Sequence, residues 1–147
     1  NHYNLMYREE EREMVPLCRQ EGIGLVPWSP IARGLLARPK PAGAAVKSDV
    51  SARSKSDDYS EKLYDTAGDW DVVDAVERVS RTRGTAMAEV ALAWLLAQPG
   101  VTAPIIGATK MDHLDSAIRA LGVKLSAEEH AALEAPYRPH GVRGFTA

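Results

Sequence analysis

Apolar residues fall in two short continuous runs and three longer stretches of helical period. The runs are Ile23-Gly24-Leu25-Val26 and Val101-Thr102-Ala103-Pro104-Ile105-Ile106-Gly107. Each reads as a short buried strand, with Pro104 making the start of the second irregular. Met14 to Gln20 predicts a short helix: Pro16 sits in its first turn, where a missing N–H costs nothing, and Gly22 supplies the stop. From Trp70 the period is helical, with Val72, Val73, Val76 and Val79 on one inward face and Arg81 to Gly84 closing the helix. Thr85 is the expected N-cap of the next helix, whose inward stripe is Met87, Val90, Ala91, Trp94 and Leu95, ended by Pro99-Gly100. Leu114, Ile118 and Leu121 predict a third amphipathic helix, and Ser126-Ala127-Glu128-Glu129 is a capping-box signature for a short fourth.

The polar stretches complete the order. Arg8-Glu9-Glu10-Glu11-Arg12-Glu13 reads as a solvated, helical approach segment, and Pro136 onward as a polar tail. Ala37 to about Ser60 is rich in Pro, Ser, Lys and Asp without apolar periodicity, which predicts an irregular loop, either disordered or a functional lid. Strands alternating with helices imply parallel pairing with crossover helices on one side. Two or three such strands are too few for a covered sheet; half of a barrel would show this order.

Composition narrows the function classes. The chain has 147 residues, 45% hydrophobic and 26% charged, with a net charge of -2. That is an ordinary single-domain balance, and it disfavours a nucleic-acid binder, which would carry a basic stripe. No apolar run approaches the roughly 20 residues needed to cross a bilayer, and the N-terminus has no signal-peptide pattern. The single cysteine, Cys18, fits a reducing, cytoplasmic setting and reads as a buried structural thiol. His2, His113, His130 and His140 lack metal-ligand spacing, so no metal site is expected. Asn1-His2-Tyr3-Asn4 begins without an initiator methionine, as though cut from something longer.

Two loops follow the predicted strands, and in parallel α/β folds ligands bind at that edge. The first is Trp28-Ser29-Pro30-Ile31-Ala32-Arg33-Gly34. Trp28 offers a flat face for a ring, Ser29 and the loop N–H groups offer donors to phosphate, and Gly34 permits close backbone approach. On local chemistry alone a proline-braced turn over a core tryptophan is the safer reading. The second is Gly107-Ala108-Thr109-Lys110-Met111-Asp112-His113, opening a helix near Lys110. A hydroxyl, a cation and free N–H groups converge there as an anion site, with His113 one turn on. Simple capping by Thr109 beside a solvated Lys110 accounts for the same residues equally well.

Taken together, Tyr3-Asn4-Leu5, Pro16-Leu17-Cys18, Gly22-Ile23-Gly24, Trp28 to Gly34, Val90-Ala91-Leu92-Ala93-Trp94-Leu95 and Pro104 to Thr109 run in an order that resembles the aldo-keto reductase family. The likeness covers nearly the whole chain and is closest to the bacterial and fungal branch that also resembles potassium-channel β-subunits. It implies the C-terminal part of a (β/α)8 TIM barrel, with parallel strands and outer helices, across residues 1–147. It also implies an NADPH-dependent reductase of aldehydes and ketones. Trp28 matches the aromatic under the nicotinamide, and the Ser29, Pro30, Ile31, Ala32, Arg33 and Gly34 loop matches the pyrophosphate segment. Thr109 and Lys110, after Gly107, match the hydroxyl and cation that hold the 2′-phosphate, while His113 falls where the family often has Gln. Ser116 and Ala117 stand where relatives commonly have Glu and Asn near the adenine, implying a weaker grip on the base. No residue matches the family's catalytic Asp, Tyr, Lys and His, so the resemblance implies a cofactor-binding portion that is inactive alone. Its partners would be a small carbonyl substrate in the parent protein, and a missing N-terminal half or a second copy. The alternatives are a non-catalytic NADP-binding regulator like the channel β-subunits, and a truncated product that never folds independently.

Overall fold

A computed structural model describes residues 1–40, 63–64 and 67–141. Most of the stretch expected to form an irregular loop, residues 41–60, lies outside the described residues; Ala37 to Lys40 are exposed. Among the described residues there are five α-helices: α1 (Met14–Gln20), α2 (Ala67–Arg83), α3 (Met87–Leu96), α4 (Met111–Ala120) and α5 (Ala127–Glu134). Two 3-10 turns, Glu9–Glu11 and Ala32–Ala37, complete the helical elements.

Three extended segments run side by side in parallel. His2 pairs with Trp28 and Leu25 with Val101, each as an isolated bridge. Trp28 N donates to Asn1 C=O at 3.0 Å, Leu25 N to Gly100 C=O at 2.8 Å, and Ile105 N to Pro27 C=O at 2.8 Å. The expected strands are therefore present in place and direction but not as ladders. Pro27, Pro30 and Pro104 carry no N–H, which removes donors that a ladder would need. Nor are these segments buried, as the apolar runs predicted. Leu25 and Pro27 are buried, whereas Val26 is 48% exposed, Ile23 and Ile105 are 55% exposed each and Ile106 is exposed to a lesser degree. A strand alternates its faces, and among the described residues nothing covers the second one. The parallel order with helices on one flank agrees with part of a (β/α)8 fold, although the chain is mostly helical with few paired strand residues.

The helix layer follows the periodic pattern closely. Val72, Val73, Val76 and Val79 on α2, and Met87, Val90, Ala91, Trp94 and Leu95 on α3, are all buried. They pack with Tyr3, Leu5, Met6, Leu36, Leu63 and Leu133 in one core. Full burial of each large side chain contributes about 1.5–3 kcal/mol, so this contiguous cluster dominates the fold's stability. Cys18 is buried and free, as expected of a structural thiol. Ser126 caps α5 with the reciprocal Glu129 bond that its sequence predicts.

Four local expectations are corrected. Thr85 does not cap α3: Ala86 holds that position, while Thr85 N and C=O are both engaged by Ser80. The apolar stripe of α4 does not face the core, since Leu114, Ile118 and Leu121 are exposed and line an open groove of about 210 Å³ with Leu92, Leu96 and Ile106. The Arg8–Glu13 charge run is not wholly solvated. Glu9 is buried, accepting from Tyr137 Oη and His140 N at 2.6 Å each, and pairs with Arg12 at 2.7 Å. The segment from Pro136 is not simply polar and solvated either. Up to Gly141 it folds back, burying His140 against Asp69 at 2.8 Å and leaving Tyr137 half-buried under the Arg8 guanidinium.

Candidate functional site: two loops at one edge

The segment ending at Trp28 and the segment ending near Ile106 are neighbours, joined by the bond from Ile105 N to Pro27 C=O. Their following loops therefore leave from the same carboxyl edge, the position at which parallel α/β proteins hold ligands.

The first loop is held in a conformation that non-glycine residues seldom adopt. Ser29, Ala32 and Arg33 have φ of 56°, 48° and 55°, followed by Gly34 at 99°. Each non-glycine residue in this left-handed region costs on the order of 1–2 kcal/mol, so surrounding bonds must hold the loop. Ala32 N donates to Ser29 C=O at 2.9 Å, Gly34 N to Ile31 C=O at 2.9 Å, and Arg33 N to Ser29 Oγ at 3.2 Å. The N–H groups of Ser29 and Ile31 have no acceptor among the described residues.

Trp28 is half-buried rather than a fully enclosed core tryptophan. One indole face lies on the His2 ring at 4.3 Å and 16°, and the far face of His2 lies on Tyr7 at 4.2 Å and 12°. A ring stacking on Trp28 must therefore take the opposite face. Burial, together with the neighbouring N-terminal amine, lowers the His2 pKa from 6.5 to about 4, so the imidazole is neutral.

A network beneath the loop escaped the sequence reading. Asn4, fully buried, accepts from Met6 N and Tyr7 N at 2.9 and 3.0 Å through Oδ1. Its Nδ2 donates to Ser29 C=O and to Tyr64 Oη, both at 2.9 Å. Tyr64 Oη also lies 2.6 Å from His2 Nε2 and 3.4 Å from Ser29 Oγ. Burial pushes the Tyr64 pKa up, which keeps the phenol protonated. The signal available in sequence was only the Tyr3-Asn4-Leu5 match; Tyr64 sits in a stretch without any pattern.

The second loop is open. Gly107, Thr109, Lys110 and His113 are all exposed, and Lys110 stands at the N-cap of α4 with extended backbone and no side-chain cap. Thr109 thus does not cap the helix; His113 N donates to Lys110 C=O at 3.1 Å, while Lys110, Met111 and Asp112 are exposed. Ser116 is turned away from this edge, donating to Glu89 Oε1 at 3.1 Å beside Arg119 at 2.8 Å. Ala117 lines the apolar groove. Among the described residues no group of three or more His, Cys, Asp or Glu could hold a metal ion.

Parallel segments with a helical flank and two loops leaving one carboxyl edge are consistent with part of an α/β barrel protein. The family model described as the aldo/keto reductase family matches residues 1–138, and the chain belongs to that family. A Schizosaccharomyces pombe protein named for aryl-alcohol dehydrogenase activity is 42% identical over 144 residues, 98% of this chain and 39% of that protein. The versiconal hemiacetal acetate reductase of Aspergillus parasiticus is 39% identical over 142 residues, 97% of this chain and 40% of the relative. A crystal structure of a thermostable aldo-keto reductase with the inhibitor epalrestat superimposes with a TM-score of 0.62 at 26% identity, covering 92% of this chain and 38% of that one. The chain spans about two fifths of the length of these relatives. Family membership makes it part of an oxidoreductase family whose members typically use a nicotinamide cofactor. No helix among the described residues is long and apolar enough to cross a membrane.

Proposed function

We propose that this chain forms the NADP(H)-binding wall of an aldo-keto reductase that reduces aldehydes or ketones to alcohols. The observation that carries this reading is the strained Ser29–Gly34 loop, whose Ser29 and Ile31 N–H groups have no acceptor among the described residues, at the same edge as the open α4 N-terminus. The face of Trp28 opposite His2 takes the nicotinamide ring. Ser29, Ile31, Ala32 and Arg33 lie along the pyrophosphate, between Pro30 and Gly34, which set the loop's course. Thr109 and Lys110, reached through Gly107, hold the 2′-phosphate, with His113 beside it. NADPH, when bound, supplies the hydride; the residues of this chain bind and orient it.

No side chain here is assigned to proton transfer, and the 147 residues alone are expected to show no carbonyl reduction. In the parent protein, further strands would cover Val26 and Ile105, which accounts for their exposure. The test of the cofactor assignment is charge reversal at Lys110. Lys110→Glu should weaken NADPH binding much more than NADH binding, because only NADPH carries the 2′-phosphate. Equal weakening of both would remove Lys110 from that role.

A further inference from the structure

Asn4 is assigned no contact with the cofactor itself, yet its buried side chain reaches the carbonyl of Ser29 in the pyrophosphate loop. That carbonyl is held by two donors, Ala32 N from within the loop and Asn4 Nδ2 from the first segment, both at 2.9 Å. Tyr64 Oη locks the arm of Asn4 from the other side at 2.9 Å and lies 3.4 Å from Ser29 Oγ. Ser29 stays at φ 56° against its own steric preference. Releasing its carbonyl lets the residue relax out of the left-handed region and changes the course of the loop backbone from Ser29 to Arg33.

We propose that Asn4, braced by Tyr64, is the positioning residue that sets the pyrophosphate loop, so that it governs NADPH affinity through the Ser29–Arg33 backbone and not through Thr109 and Lys110. This rests on the cofactor reading above. It separates two parts of one ligand: NADPH has a pyrophosphate and a nicotinamide, whereas adenosine 2′-monophosphate has the 2′-phosphate and no 5′-phosphate, pyrophosphate or nicotinamide.

The experiment titrates both ligands into the whole 147-residue chain, wild type, Asn4→Ser and Tyr64→Phe. Serine keeps a short acceptor for the Met6 and Tyr7 N–H groups but cannot reach Ser29. Asn4→Ser is expected to raise the NADPH Kd by roughly three- to tenfold, the worth of one lost hydrogen bond. Tyr64→Phe should move it the same way by a smaller factor. Neither variant should change the affinity for adenosine 2′-monophosphate. Unchanged NADPH affinity in both variants overturns the proposal. Parallel loss of both ligands also overturns it, because a general structural role would act that way. If the wild-type chain fails to bind NADPH at all, the cofactor reading itself falls, a result distinct from either of those.

Discussion

Replacing Gly24 by alanine tests how closely the two segments carrying the proposed cofactor loops approach each other. An alanine Cβ at this position would sit 2.1 Å from Thr102 Oγ1 and 3.2 Å from Thr102 Cβ. Rotation about χ1 of Thr102 can remove the first overlap, but Cβ is fixed by the backbone. The remaining 3.2 Å contact forces the segments apart by a few tenths of an ångström. Alanine for glycine alone would stabilise by about 0.4–1 kcal/mol through the unfolded chain, and overpacking costs typically 1–3 kcal/mol. Gly24→Ala is therefore expected to destabilise by roughly 0.5–2 kcal/mol. In a Thr102→Gly background the obstructing atoms are gone, and Thr102's N–H, which donates to Leu25 C=O at 2.8 Å, is kept. There the same change should stabilise, giving a coupling energy of about 1–3 kcal/mol. Urea unfolding followed by tryptophan fluorescence, with unchanged m-values, measures all four corners of the cycle. Equal effects of Gly24→Ala in both backgrounds would refute the close approach.

Three more consequences are open to measurement. Glu9→Ala leaves Tyr137 Oη and His140 N without their shared acceptor, and should cost about 2–4 kcal/mol in urea unfolding. Glu9→Gln, which keeps an acceptor, should cost about half that. His2 has a folded pKa of about 4 against 6.5 unfolded, so it binds its proton more readily when unfolded. Its contribution is present above pH 6.5 and is lost as pH falls toward 4. Wild type should therefore lose about 1–2 kcal/mol more than His2→Gln between pH 7 and 5, and identical pH dependence in the two would contradict the burial of a neutral imidazole. Ser126→Ala removes the α5 cap and should lower stability by about 1 kcal/mol in the same assay.

The helix layer was legible because its signal is local. Val72 to Val79 and Met87 to Leu95 repeat at the helical period, and burial of one face follows directly. The α4 stripe carries the same signal and yet is exposed, since periodicity says which residues share a face and not what covers it. Glu9 reads as solvated because its partners, Tyr137 and His140, lie 128 and 131 positions away. Thr85 failed as a cap for a short-range reason, as Ser80 had already taken its backbone groups. At the site, the residue types in Trp28–Gly34 and Thr109–Lys110 were visible, but the left-handed backbone at three non-glycine positions has no composition signature. Nor has the Asn4–Tyr64 support, which joins positions 60 apart.

The prolines explain why that support matters. In an ordinary parallel sheet, ladder bonds fix where a strand ends and so aim its following loop. Here Pro27, Pro30 and Pro104 withdraw donors at the carboxyl edge, and the pairing is reduced to single bridges at His2–Trp28 and Leu25–Val101. The edge must then be aimed by side chains. Trp28 is set by the His2–Tyr7 stack, and Ser29 by Asn4, both rooted in the first seven residues where burial is nearly complete. The second loop has no comparable brace among the described residues, since Thr109 and Lys110 are exposed and α4 begins without a side-chain cap. The two halves of the proposed cofactor site therefore differ in kind: a preset cradle for the nicotinamide and pyrophosphate, and an open electrostatic contact for the 2′-phosphate. Substitutions under the first half should act through loop geometry and be insensitive to salt, whereas Lys110→Glu should lose its effect as ionic strength screens an exposed charge.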